Sequence, residues 1–239
     1  MNKLIALFST FLLWANVYPQ YVGAQYRGAD LVPTNLEIHD LSGRPIPIND
    51  RSQINGSPLL SDVWAAGLIK MADGKVYFDS SMNYSAFDDK VFVKQNNQMY
   101  PVDDPVTEFT LQYSDSDRAY FKNGFSPIDQ NTTSSFYQVL SDGKKIVLLK
   151  RIHERYEEVF NYGGTTQPTY SPLVAYYAYI KSEDKMMNLG THITVKMLQK
   201  KLPEYSPQIA TYFSATKNSP KSDKDISGLF KFLDSTTGK

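Results

Sequence analysis

The sequence predicts an α+β protein: an antiparallel, curled or partly closed β-meander sheet with a short C-terminal helical tail. Three observations carry this reading. Apolar runs are punctuated by tight-turn pairs, Asp73-Gly74, Asn96-Asn97 and Asp142-Gly143. The runs are rich in Tyr, Val and Thr, residues that suit half-buried pleated strands. After Gly190 the apolar spacing lengthens from two to the i, i+3, i+4, i+7 period of a helix.

The stretch from Val63 to Val102 is the organising element. It reads as strands Val63–Met71, Lys75–Tyr84, Lys90–Lys94 and Met99–Val102. Asp-Gly between the first two is a strong hairpin signal, because such turns need positive φ, which Gly and Asp tolerate. In the second strand Val76, Phe78 and Ser80 share one face, and Tyr77, Asp79 and Ser81 the other. Glu108–Tyr113 is a further strand, followed by a polar turn at Asp115–Arg118. Tyr120–Lys122 and Phe125 are isolated apolar punctuation before a polar loop, Ser126–Ser134. Phe136–Leu140 and Lys145–Tyr156 flank the second Asp-Gly hairpin, and Asn161–Pro172 reads as a Gly/Thr/Pro loop. In Val174–Lys181 one face carries Tyr177 and Tyr179, the other Val174, Tyr176 and Ile180. Lys185–Leu189 completes about eight strands.

Three short helices follow. Thr194 caps Val195–Leu202, with Pro203 beyond its end. Ser206-Pro207 opens a second, since Pro is preorganised for the first helical position. Ser222 or Asp223 opens a third, whose stripe is Ile226, Leu229, Phe230 and Leu233. Helices this short are marginal alone and need a surface to dock on. The expected organisation is a signal peptide over 1–24, an extended arm over 25–56 with an edge strand at Asn35–Leu41, a β domain over 57–189, and a helical tail over 190–239 docked on the sheet.

The amino terminus sets the expected address. Lys3 precedes an apolar run from Leu4 to Val17, and Val22 and Ala24 satisfy the small-residue rule for cleavage after Ala24. The apolar run is too short to span a bilayer comfortably, and no later stretch is apolar enough to do so. The expectation is export, periplasmic or secreted, with no transmembrane segment in the mature chain. Lys plus Arg equals Asp plus Glu at 25 each, so no global field draws nucleic acid.

The run Asn55-Gly56-Ser57-Pro58-Leu59-Leu60-Ser61-Asp62-Val63-Trp64, Gly67, Asp73-Gly74-Lys75-Val76-Tyr77 and Asn83-Tyr84, together with the tail Leu198 to Leu233, resembles the large set of exported, uncharacterised proteins of Bacteroidota. In these a Gly-Ser-Pro entry leads into an Asp-Gly-Lys hairpin and a tyrosine-rich sheet, with a short helical tail. The likeness covers residues 55–102 best, and 136–155 loosely. It implies an envelope or secreted location and supplies no activity and no catalytic residues.

Motifs for chemistry are sparse. With no cysteine there is no disulfide, thiolate metal site or Cys nucleophile. The three histidines, His39, His153 and His192, stand apart, with no Gly-x-Ser-x-Gly elbow and no His-Glu-x-x-His. His153 sits in a charged strand and reads as solvated. Asp115-x-Asp117 begins like a calcium loop, but Tyr120 and Ser126 stand where Gly and Glu are needed. Asp88-Asp89 and Asp103-Asp104 read as turn acids. Gly163-Gly164-Thr165-Thr166 lacks the Lys of a phosphate loop. No catalytic residue, metal or cofactor is expected. The candidate binding residues are Tyr176, Tyr177, Tyr179 and Trp64, as aromatic platforms, against the competing expectation that they pack inside. The function expected is a non-enzymatic interaction module for an envelope protein. The alternative is a carrier of an apolar small molecule held in the curled sheet, with the tail as lid.

Overall fold

The structure is a computed structural model and describes residues 34–35, 55–103, 105–160, 164, 166–216 and 220–236. The signal-peptide reading, most of the arm and the Leu36–Leu41 part of the predicted edge strand lie outside these residues.

One sheet dominates. Its strands are β1 (Thr34–Asn35), β2 (Ala65–Met71), β3 (Val76–Ser85), β4 (Lys90–Gln95), β5 (Gln98–Pro101), β6 (Val106–Gln112), β7 (Arg118–Lys122), β8 (Tyr137–Asp142), β9 (Ile146–Phe160), β10 (Thr166–Ile180) and β11 (Lys185–Gly190). The order is β11-β10-β9-β8-β7-β6-β2-β3-β4-β5, antiparallel throughout, with β1 added parallel to β3. The path ends at β5 and β11, so the sheet stays open. The fold is the α+β meander that the sequence predicts, with one departure: the chain leaves β5 and returns to the far side of β2.

That return forces curvature. In a flat sheet β5 and β6 would stand four strand spacings apart, about 19 Å. The connection from Pro101 to Val106 reaches at most about 18 Å when fully extended. The bend is taken up in β3. This strand pairs with β2 from Val76 to Met82, with a register shift between Asp79 and Met82, and with β4 only from Met82 to Ser85. Inside the curl Phe109 and Phe121 stack at 4.7 Å, Tyr84 lies 5.3 Å from each, and Phe136 meets Phe109 edge-on. All four rings are buried, with Ile69, Met82, Val93 and Leu111 around them.

The second half is covered differently. Ile146 and Leu148 of β9, Ala178 of β10 and Leu189 of β11 face the helices α1 (Val195–Lys201), α2 (Ser206–Thr216) and α3 (Asp223–Ser235). The α3 stripe Ile226, Leu229, Phe230 and Leu233 is buried there. Thr194 caps α1 by accepting from the Met197 amide, and Ser222 caps α3 in a reciprocal box with Asp225. Asp223 accepts from Lys150 Nζ at 2.8 Å and from Tyr176 Oη at 2.7 Å. At the other end of α3, Asp234 accepts from the Lys145 amide at 2.7 Å.

The turns are right in place and different in detail. Of the pair Asp73-Gly74 only Gly74 has positive φ, at 88°. The Asp73 carboxylate instead accepts from the Lys75 amide. The two-residue turn with positive φ at both central positions is Asn96-Asn97, at 48° and 61°. Gly143 does not need positive φ. A side chain there would lie 2.5 Å from the Asp234 carboxylate and 2.5 Å from the Ile146 carbonyl, so glycine makes room both for the end of α3 and for the hairpin's own backbone.

Two sequence expectations are corrected. Arg118–Lys122 is a strand, with Ala119 and Phe121 buried on alternate positions. Two inward residues between polar neighbours are too few for the alternation to stand out. The expected loop Asn161–Pro172 is strand from Thr166 onward. Tyr170 donates to and Pro168 accepts from Asn55, so the even positions of β10 point away from β9. Pro168 and Pro172 are both even. Their missing N–H groups fall on the outer edge, where proline removes no β9 hydrogen bond.

Candidate functional site

The two halves meet at a narrow seam. β7 and β8 share only the pairs Phe121↔Gln138 and Lys122↔Tyr137. Arg151 of β9 fastens it. Its Nη1 donates to the Tyr84 hydroxyl at 2.9 Å and to the Phe136 carbonyl at 3.0 Å, Nη2 donates to Asp89 at 2.8 Å, and Nε donates to Asn131 at 3.0 Å. Tyr84 also donates to Asp89. Burial alone would lower the Arg151 pKa, but Tyr84 and Asp89 outweigh it and hold the guanidinium above its ordinary value. Burial, then the Asp89 charge, push the Tyr84 hydroxyl up. Asp89 reaches inward because the turn after β3 gives it a φ of 58°, a left-handed conformation that Asp tolerates better than most residues. Arg151 and Asp89, read from sequence as part of a charged strand and a turn acid, thus form an ion pair in which the guanidinium is buried and the carboxylate half-buried.

A cleft of about 630 Å³ opens over this pair, lined among others by Asp89, Asp129, Asn131, Arg151, His153 and Tyr177. Asp129, at φ 55°, accepts from Tyr177 Oη at 3.0 Å and Asn188 Nδ2 at 2.7 Å. Burial, followed by that bond to Asp129, pushes the Tyr177 hydroxyl up to about 12. His153 is half-buried rather than solvated, and its Nδ1 lies 3.0 Å from the Ala86 carbonyl. A carbonyl only accepts, so Nδ1 carries a proton. Among the described residues the group orienting His153 is therefore a backbone carbonyl and not an acid. Among the described residues no group of three or more His, Asp or Glu converges as metal ligands would.

The four predicted binding residues do not come together. Tyr177 lines the cleft but is 4% exposed, with its ring edge-on to Tyr137. Tyr176 is on the opposite face, bonded to Asp223 of α3. Tyr179 shares the Tyr177 face but packs on Phe125 and donates to Asp184. Trp64 precedes β2, with Lys94 Nζ 5.8 Å from its ring.

The exposed aromatic surface is elsewhere, on the outer half of the β9–β10 hairpin. Beyond Glu154 this ribbon leaves the sheet, since β8 pairs β9 only as far as Lys150 and β11 pairs β10 only from Tyr176. On it Tyr156 is 44% and Phe160 75% exposed, and Phe87 beside it 40%. Tyr170 joins them, its ring centroid 5.3 Å from Tyr156 and 5.4 Å from Phe87. Sequence periodicity could not single these out, because a residue on a projecting ribbon alternates like one inside a sheet. Comparison with known proteins finds no family model, no curated protein and no solved structure that matches this chain.

Proposed function

We propose that the protein is an exported, non-enzymatic interaction module whose binding face is the projecting β9–β10 hairpin and the cleft at its root. One observation carries this reading. The interiors of both halves are filled with packed side chains, whereas the hairpin holds Tyr156, Phe160 and Leu173 in solvent, with Phe87 beside it. Large apolar side chains gathered on an outward ribbon mark an interaction surface more often than a structural one. The alternative, a carrier of an apolar ligand, has less support. Phe109, Phe121, Tyr84 and Phe136 occupy the inside of the curl, and the tail lies on the helix-backed half rather than over the curl's mouth. Against enzymatic use, His153 is oriented by a carbonyl, and Asp89 and Asp129 are engaged by Arg151, Tyr177 and Asn188.

Two experiments test the reading. Mass spectrometry of the protein from its envelope or medium is expected to show a terminus at Gln25; a retained Met1 on the folded chain removes export. A photo-crosslinking residue at Tyr170 or Leu173 is expected to give one discrete adduct in cells, and the same residue at the tail position Lys231 none. Adducts spread equally over all three positions, or absent from all, defeat the interaction reading.

A further inference from the structure

The two outer edges of the projecting hairpin are not alike. On β10, Pro168 and Pro172 remove the outward N–H groups, and Asn55 bridges the strand at Thr169. That edge is closed to further pairing. On β9 the Glu154 amide points away from β10, donating to the Ala86 carbonyl at 3.0 Å. Side-to-side alternation then puts the N–H and C=O groups of Tyr156, Glu158 and Phe160 on the same outward edge. None of these has a backbone partner on that side among the described residues. No proline interrupts the stretch, and all three residues are exposed.

We propose that this β9 edge, residues 155–160, receives an extended peptide segment of another protein as an added strand, and that the segment carries a basic residue opposite Glu158 with apolar residues two positions to either side. The inference deepens the interaction reading and rests on it. The pairing type follows from the open backbone groups, which supply affinity in strand addition while alternate side chains supply specificity. The side-chain pattern follows from what stands on the face. Tyr156 and Phe160 flank Glu158 at spacing two, and Tyr170 and Phe87 extend the apolar surface behind Tyr156. An acid directly opposite a base across a strand pair is favourable, and like charges opposite one another are not.

The same charge argues against a second copy of this chain. Ala86 occupies the edge at Glu154, so self-pairing is confined to 155–160. The antiparallel register that fills this stretch sets Glu158 against Glu158 of the other copy. Glu158 therefore selects a basic strand and rejects its own.

The test uses the full chain and an acetylated, amidated peptide Thr-Val-Thr-Lys-Thr-Val-Thr, with a twin in which Glu replaces Lys. Amide exchange is followed as peptide is added to millimolar concentration. The Lys peptide is expected to slow exchange at Tyr156, Glu158 and Phe160, and to leave Arg155, Glu157 and Val159, already bonded to β10, unchanged. It is expected to bind roughly threefold to tenfold more tightly than its twin. Glu158→Lys is expected to reverse that preference. Glu158→Pro, which deletes one outward N–H and no β10 bond, is expected to abolish binding with the melting temperature unchanged. Equal binding of the twins, protection elsewhere or no binding overturns the proposal. A dimer of the chain that dissociates in Glu158→Pro makes a second copy the occupant and also overturns it. If crosslinks from Tyr170 or Leu173 persist while the edge stays unprotected, the interaction reading stands and only the strand-addition inference falls.

Discussion

The two halves of this sheet solve one problem in two ways. β2 to β7 bury their apolar face by curling until Phe109, Phe121, Tyr84 and Phe136 close on one another. β8 to β11 include two strands of 15 residues each; one apolar face is covered by α1, α2 and α3, and on the other Tyr137, Val147, Leu149 and Tyr177 pack under Phe125. Local strand chemistry is similar in both, with alternating Val, Leu, Phe and Tyr. What differs is cover. The curl needs no second layer, whereas Ile146, Leu148, Ala178 and Leu189 depend on helices that come last in the chain. Arg151 ties the two solutions together, because its partners Tyr84 and Asp89 belong to the curl and Asn131 and Phe136 to the segment before β8.

The largest expected effect comes from removing the cover. Phe230→Asp, at a fully buried position, is expected to cost about 4 kcal/mol or more, since it loses apolar contact and buries a charge. Amide exchange is expected to rise more in β9 to β11 than in β2 to β6. An equal rise in both would make the halves a single cooperative unit. Next comes the tie. Arg151→Met leaves Asp89 without its charged partner and is expected to cost about 3 kcal/mol. Trp64, the one Trp after residue 24, then reports the melting of the curl, and amide exchange in β9 to β11 reports that of the other half. Coincident transitions at an unchanged temperature would remove Arg151 from that role.

Gly143→Ala probes how α3 is seated. Its Cβ would press on the Asp234 carboxylate and equally on the Ile146 carbonyl, and a loss of about 2 kcal/mol is expected. The penalty is expected to shrink but not vanish in an Asp234→Ala background, because the Ile146 carbonyl stays; an unchanged penalty there would place the whole clash at that carbonyl. The smallest effect is a gain. Glu154 is buried and its Oε2 has no hydrogen-bond partner. Burial raises its pKa above the ordinary 4.5. The folded state then holds the proton more tightly than the unfolded one, so stability falls as pH rises between the two pKa values and stays reduced at neutral pH. Glu154→Gln is expected to stabilise at pH 7 and to give no gain at pH 4 or below, measured by urea unfolding. A gain that persists at low pH would show that charge is not its cause.

Much of the fold was legible because its signals are short-range. The hairpin at Gly74, the Thr194 and Ser222 caps and the α3 stripe each depend on residues within four or seven positions of one another. The failures share a different cause. β7 leaves no mark in the sequence because two inward residues do not make a period, and the start of β10 leaves none because a proline does not say which edge of a strand it faces. The site was largely illegible. Arg151 and Asp89 are 62 residues apart in sequence and meet only where the curl touches β9. Tyr176, Tyr177, Tyr179 and Trp64 stand out by residue type, and type does not say which face of a strand is left open.

By itself, then, the sequence determined most of the strand and turn order along the chain, though not β7 or the start of β10, together with the helical tail, its apolar stripe and the charge balance, since each follows from backbone preference or side-chain spacing along the chain. Tertiary structure alone decided that β2 sits between β3 and β6, that Gly143 is needed for the seating of α3, that Arg151 is buried, and that one edge of the long hairpin is closed while the other is open. These depend on which distant surfaces meet, and burial and pairing are properties of that meeting rather than of any residue.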